Sequence, residues 1–279
     1  MCFTKRPGVI LPDRAKVLSN LSNGGSGRAV AEAILDGRIN DARTMLIRDR
    51  RLLTTIVTHD PRMDRFPDGQ FGDLLTLAVA RCDPKIVSML LDAGMSPNGQ
   101  LPGQALGLAI LADTPDIAEQ LLRAGAAADP EPVSNANDPM STAMTFSHVG
   151  AVMMLLRHGA NPRLTGKFGN DRVSDAIAGE ATDIAELLVD HGGSLFTVAG
   201  DGSMAIHMLM RPPIMADNAA RNAARERLIA KAKSSGMPWP PPPPETVKQM
   251  VLSGLWPTAQ MAKAGMTVPP AALERMRAH

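Results

Sequence analysis

The chain has 279 residues, a formal net charge of +1, 44% hydrophobic residues and only 3% aromatic residues. Such a composition is globular, and its core must be built from aliphatic side chains and methionine. The small net charge and the scarcity of rings exclude the strong field and the stacking surface that nucleic acids or anionic membranes require.

Residues 1–26 are predicted to form an irregular N-terminal lead. They lack the apolar stretch of a secretory signal, and no apolar run approaches the roughly 20 residues that cross a bilayer. Gly24, Gly25 and Gly27 leave a phosphate-binding loop as an alternative, but the Gly-Lys-Ser/Thr of that motif is missing. We therefore expect a flexible lead.

Two cysteines, Cys2 and Cys82, are too few for a disulfide framework in a chain of this length. Asp83 follows Cys82, and an acidic neighbour disfavours a reactive thiolate. The sequence therefore predicts a reducing, cytoplasmic location. The usage of Ala, Arg, Gly and Pro without Tyr is typical of a bacterial source.

One amphipathic pattern recurs four times between residues 85 and 192, as KIVSMLLDAG, DIAEQLLRAG, GAVMMLLRHG and DIAELLVDHG. The closing glycines stand at positions 94, 125, 159 and 192, so the period is nearly constant. Apolar residues at helical spacing before a glycine predict a capped helix. A shorter apolar segment precedes each copy, with an alanine at the same offset before every closing glycine, at Ala78, Ala109, Ala143 and Ala176. Each period therefore predicts a helix, a tight turn, a closely packed second helix and a loop.

The outer periods are weaker, as expected where a terminal repeat turns one face to water. The first covers residues 27–49, with Gly37 at the predicted inter-helix turn, and a polar connection at 59–72 follows it. The last begins at Gly202, and there Pro212 and Pro213 enlarge the turn before a long basic helix at 219–233.

A proline run at 240–244 follows Trp239, and proline runs favour the extended polyproline conformation. We interpret it as a stiff spacer, with a ligand for an aromatic-lined groove as the alternative. Helices predicted at 245–253, 257–264 and 270–277 would form a C-terminal cap.

These periods resemble the ankyrin repeat. The resemblance lies in Ala93-Gly94, Ala124-Gly125-Ala126 and His158-Gly159-Ala160-Asn161 at repeat ends, and in Asp138-Pro139-Met140-Ser141 and Ala205-Ile206-His207 at helix starts. It implies an all-α ankyrin-repeat solenoid of about five or six helix-turn-helix units over residues 27–236. The irregular lead 1–26 would precede this array, and the proline-rich linker and helical cap 237–279 would follow it.

The resemblance also implies binding of a protein partner through loop tips and the exposed side of each first helix. The tips fall at 97–102, 129–136, 163–168 and 197–201. The candidate partner-binding residues are Arg81, Gln100, Phe146, Arg163, Lys167, Phe168 and Asp201. Phe146 and Phe168 are candidate anchors, since aromatic side chains often anchor interfaces, although each could instead fill a gap in its own repeat. Arg163 and Lys167 could add a basic rim or be ordinary solvated charges.

No catalytic, metal or cofactor site is predicted. Met204, His207, Met208, Met210 and Met215 could hold Cu(I), but methionines at helical spacing are usually core residues, and the resemblance implies local hydrogen bonds for His207. We therefore expect a non-catalytic scaffold with no small-molecule substrate, and neither nucleic acid nor membrane as a partner. It could be an inhibitor, such as an immunity protein that neutralises a toxin. It could instead be an effector or adaptor that bridges two proteins. An enzyme is much less favoured than either.

Overall fold

Helical pairs make up most of the chain that the computed structural model describes, which is residues 14–58, 70–131, 138–166, 169–212, 218–263 and 265–278. The chain forms two units, Met1–Ala160 and Asn161–His279. None of the helices in these ranges has the length and apolar character that a membrane crossing requires.

The N-terminal unit contains nine of the described helices. They are α1 (Arg14–Ser19), α2 (Gly24–Asp36), α3 (Ile39–Arg48), α4 (Leu74–Arg81), α5 (Pro84–Asp92), α6 (Gln104–Leu111), α7 (Pro115–Arg123), α8 (Pro139–Thr145) and α9 (Val149–Arg157). The expected irregular lead thus contains α1 and the first turn of α2. The other helices pair as predicted, with α4, α6 and α8 as first helices and α5, α7 and α9 as second helices.

Capping and small residues explain the repeated geometry. The closing residues Gly94, Gly125 and Gly159 adopt φ of 92°, 98° and 90°, a backbone conformation in which a side chain would be strained. Proline opens α5, α7 and α8, where its missing N–H costs nothing. The alanines predicted at the helix contacts are fully buried.

A short antiparallel hairpin interrupts the helical pattern. Strands β1 (Ile56–Thr58) and β2 (Gln70–Asp73) pair with a bulge after Val57. Ile, Val and Thr favour extended backbone. The predicted polar connection at 59–72 therefore ends in a strand, and its portion 59–69 lies outside the described residues.

The C-terminal unit contains α10 (Arg172–Ala178), α11 (Thr182–Asp190), α12 (Ala205–Leu209), α13 (Ala219–Ser234), α14 (Pro244–Leu252), α15 (Ala259–Lys263) and α16 (Pro270–Ala278). The first four form two helical pairs. The tail packs on them, because Val198 N–H donates to the Thr267 carbonyl at 2.8 Å and the Ser194 hydroxyl donates to the Gly265 carbonyl at 2.8 Å. The predicted helices of the C-terminal cap are therefore present and attached to this unit.

Cys82, in the turn between α4 and α5, is disulfide-bonded. The chain's other cysteine, Cys2, lies outside the described residues. This bond corrects the expectation of a reduced thiol.

Candidate protein-binding face

The exposed side of α6 and α8 is the part of the N-terminal unit that matches the predicted binding position. The two helices lie side by side, and a Cβ at Gly107 would be in ordinary van der Waals contact, 3.7 Å, with the Thr142 hydroxyl. One side of each helix is buried. The opposite side carries a row of accessible residues, which we call the α6–α8 face: Leu108, Leu111, Ala112, Thr142, Thr145 and Phe146.

Phe146 is the large apolar side chain of this face. It ends α8 and is 52% exposed, so it lies at the surface rather than in the core of its repeat. Its ring centroid lies 6.3 Å from that of His148, and the His148 Nδ1 is 3.8 Å from Asp113 Oδ1. The face therefore has an exposed ring with a polar edge.

Arg81 has a contact within the unit that sequence reasoning missed. Its guanidinium donates to the Leu35 carbonyl at 2.5 Å and lies 3.8 Å from Asp83 Oδ2. The Leu35 carbonyl belongs to the C-terminal end of α2, where a cation is favourable. A Cβ at Gly37 would collide with this guanidinium. Arg81 therefore joins α2 to α4.

Gln100 belongs to a loop tip that is held by a buried carboxylate. Asp73, the N-cap of α4, accepts from the Thr76 N–H at 2.9 Å through Oδ1 and from the Gln100 N–H at 2.6 Å through Oδ2. The next tip is joined in turn, since Asn98 Oδ1 accepts from the Ala127 N–H at 2.8 Å. The tip at 97–102 is therefore held in place, and Gln100 is exposed on it.

The predicted tip at 197–201 does not form an open loop. Residues 197–200 are buried, because Thr267 bridges to Thr197 and the side chain of Arg275 lies against Gly200. Asp201 alone is exposed in this tip, which corrects the expectation of an open loop at 197–201. Arg163 is exposed, and its Nε donates to the Gly192 carbonyl at 2.5 Å. Lys167 and Phe168 lie outside the described residues.

Asp201 is held by its neighbours. Its carboxylate accepts from the Ser203 N–H at 2.9 Å and from the Ser203 hydroxyl at 2.6 Å. Partial burial acts to raise the pKa of this carboxyl, but these hydrogen bonds outweigh it and hold the pKa below its usual range. Asp201 is therefore an anionic turn residue.

No model of a known protein family matches the chain, and no curated protein matches its sequence. Among solved structures, the chain is similar to the ankyrin repeat domain of Bcl-3, which is described as a unique member of the IkappaB protein family. The two are 21% identical with a TM-score of 0.50, over 64% of this chain and 78% of that one. The chain has an ankyrin-repeat fold.

The ankyrin fold accounts for two polar groups that could otherwise suggest chemistry. His207, at a helix start, accepts the Met204 N–H at Nδ1 (3.0 Å), so its Nε2 is assigned the proton that it donates to the Pro242 carbonyl (2.8 Å). Burial lowers the pKa of His207. Asp171 caps α10 through the Ser174 N–H, and burial raises its pKa. Among the described residues, no group of three or more His, Cys, Asp or Glu could hold a metal ion.

Proposed function

We propose that the protein is a non-catalytic binding protein that holds a protein partner on the α6–α8 face, with Phe146 as the anchor. The observation that carries this proposal is a half-exposed ring at the end of a row of accessible positions on two packed ankyrin first helices. Burying the exposed half of such a ring contributes about 1 kcal/mol to binding, roughly half of the value for a fully exposed apolar side chain.

The test compares two substitutions of exposed apolar residues in the N-terminal unit. Tagged wild-type chain, Phe146→Glu and Ile47→Glu are used to capture partners from native lysate, and the affinity of the recovered partner is then measured with purified proteins. Ile47 is the matched control, because it is 71% exposed and lies on α3, away from the face. A partner held by wild type and Ile47→Glu but lost by Phe146→Glu supports the proposal.

Equal retention by both variants would place the site elsewhere. The double change Lys167→Glu with Phe168→Ala then tests the tip at 163–168. The absence of any specific partner over a range of salt concentrations would count against a binding protein altogether.

Of the two specific roles, we propose the inhibitor, such as an immunity protein that blocks a toxin. An adaptor with the tail as its second contact needs that segment to be available, and the hydrogen bonds of Gly265 and Thr267 to the C-terminal unit argue against this. An inhibitor should form an equimolar complex and abolish the activity of its partner. A ternary complex that leaves the partner active would favour the adaptor.

A further inference from the structure

The C-terminal unit contains a pocket where its repeats depart from the regular spacing. Only three residues, 179–181, connect α10 to α11, whereas nine, 210–218, connect α12 to α13. A pocket of about 270 Å³ lies between the described ends of these helices. Pro212, which begins the proline pair noted in the sequence, lines it.

The wall of this pocket combines an apolar side with a side that carries charged residues. The apolar side consists of Ile177, Ala178, Met208, Leu209 and Pro212. The charged side has three arginines, Arg211, Arg221 and Arg225, against one acid, Glu180. We call this the arginine pocket.

Two of the three arginines are fixed by the fold. Arg225 donates through Nη2 to the carbonyls of Leu209 and Arg211 at the C-terminal end of α12, and its Nη1 lies 3.3 Å from Glu226. Arg221 lies 3.4 Å from Asp183, and its backbone carbonyl accepts from the Thr182 hydroxyl at 2.6 Å. Their side chains are largely buried and each lies beside an acid, so they shape the wall of the pocket while their charges are balanced within the fold.

The third arginine is available to a ligand. Arg211 is exposed at the rim and forms no ion pair with any residue in the described ranges. Its planar guanidinium matches a carboxylate through two parallel N–H bonds.

We propose that the arginine pocket binds a short aliphatic chain that ends in a carboxylate. The carboxylate would pair with Arg211, and the chain would lie against Met208 and Leu209. An apolar cavity of roughly 150 Å³ holds a benzene ring, so this pocket accommodates a group somewhat larger than benzene. Both a glutamate side chain of a bound protein and a free aliphatic carboxylate have this chemistry.

The test is a titration of the full ¹⁵N-labelled chain followed by NMR. The probes are hexanoate, hexanol and two blocked peptides, acetyl-Ala-Glu-Ala-amide and acetyl-Ala-Gln-Ala-amide. We expect saturable shifts at the backbone amides of 177–182, 208–211 and 221–225 with hexanoate or the glutamate peptide, and about tenfold weaker binding of hexanol and the glutamine peptide. Binding of hexanoate alone assigns a free ligand, and binding of the glutamate peptide alone assigns a protein side chain.

Variants then test the role of Arg211. Arg211→Gln should weaken carboxylate binding about tenfold and Arg211→Lys should weaken it less, because Lys keeps the charge but loses the paired N–H geometry. Arg277→Gln removes an exposed arginine elsewhere in the same unit and should change nothing. Equal affinity for hexanol and hexanoate, unchanged affinity in Arg211→Gln, or no saturable shift with any probe would overturn the proposal.

Discussion

Replacing Asp73 should destabilise the N-terminal unit more than removing an ordinary helix cap does. The carboxylate is buried and serves Thr76 in its own helix and Gln100 in the next loop tip. Losing a cap costs about 1 kcal/mol, and leaving a further donor without an acceptor costs about 1–3 kcal/mol. We therefore expect Asp73→Ala to lower the free energy of unfolding by about 2–4 kcal/mol.

The matched control is Asp83→Ala. Asp83 caps α5 by accepting from the Lys85 N–H at 3.0 Å, so its loss should cost about 1 kcal/mol. Asp73→Asn is a finer probe. The side-chain oxygen of Asn can accept from only one of the Thr76 and Gln100 N–H groups, and its NH₂ group then faces the other N–H. It should recover at most half of the lost stability.

Urea unfolding measures these differences, and hydrogen exchange locates them. In Asp73→Ala, exchange should accelerate at 96–103 as well as at the start of α4. The reasoning fails if Asp73→Ala and Asp83→Ala agree within about 0.5 kcal/mol, or if Asp73→Asn is as stable as wild type.

Three further outcomes are expected. Lowering the pH from 7.5 to 5.5 should reduce the protection factors of the backbone amides in α12, that is, their slowing relative to the intrinsic exchange rate at each pH. Burial lowers the pKa of His207 in the folded chain. The stability that neutral His207 contributes is therefore lost as the pH falls below the ordinary histidine pKa near 6.5. His207→Gln should remove most of this pH dependence. Gly169→Ala should make the tail sensitive to protease, because its Cβ would stand 2.7 Å from that of Ala272, whereas Gly192→Ala, with open space around it, should leave the tail protected although it carries similar backbone strain. Cys82 should resist maleimide until a reductant is added, and immediate labelling would show that the thiol is free.

The sequence predicted the repeats well because their signals are local. A closing glycine and an alanine at a fixed offset before it determine where each helix ends and where two helices touch, and both act within one repeat. The same logic placed Gly37 at the first inter-helix turn, where its φ is 75°.

The later inter-helix turns show where this logic fails. Cys82, Asp113, Ser147 and Glu180 occupy that turn in successive repeats with φ of 57°, 55°, 54° and 57°. None is a glycine, so composition gives no sign of a left-handed residue. Their intervals along the chain equal those of the closing glycines and would have located the turn. The regular spacing of these positions therefore predicts the turn, whereas their residue types do not.

The candidate binding residues were predicted less well because their contacts are distant in sequence. Arg81 ends a first helix, as a partner-facing residue would, but its acceptor, the Leu35 carbonyl, is 46 residues upstream. The tip at 197–201 has the composition of an exposed loop, yet Thr267 pairs with it from 70 residues downstream. Phe146 was predicted as an anchor only because aromatic residues are scarce and because it lies at the end of a first helix. Its side chain is exposed, so it remains the candidate anchor.

The basic helix α13 is a further case in which the sequence does not show the contacts of a charged side chain. In the sequence, its Arg and Lys residues have no acidic residue three or four positions away that could pair with them on the same helix. Its partners lie on α11, where Glu186 meets Arg227 through two 2.7 Å contacts and Asp190 meets Lys231. Exposed pairs of this kind contribute little stability, but they neutralise the helix toward any ligand. Arg211, which has no such partner among the described residues, is left as the cation that can select an anionic group at this end of the unit.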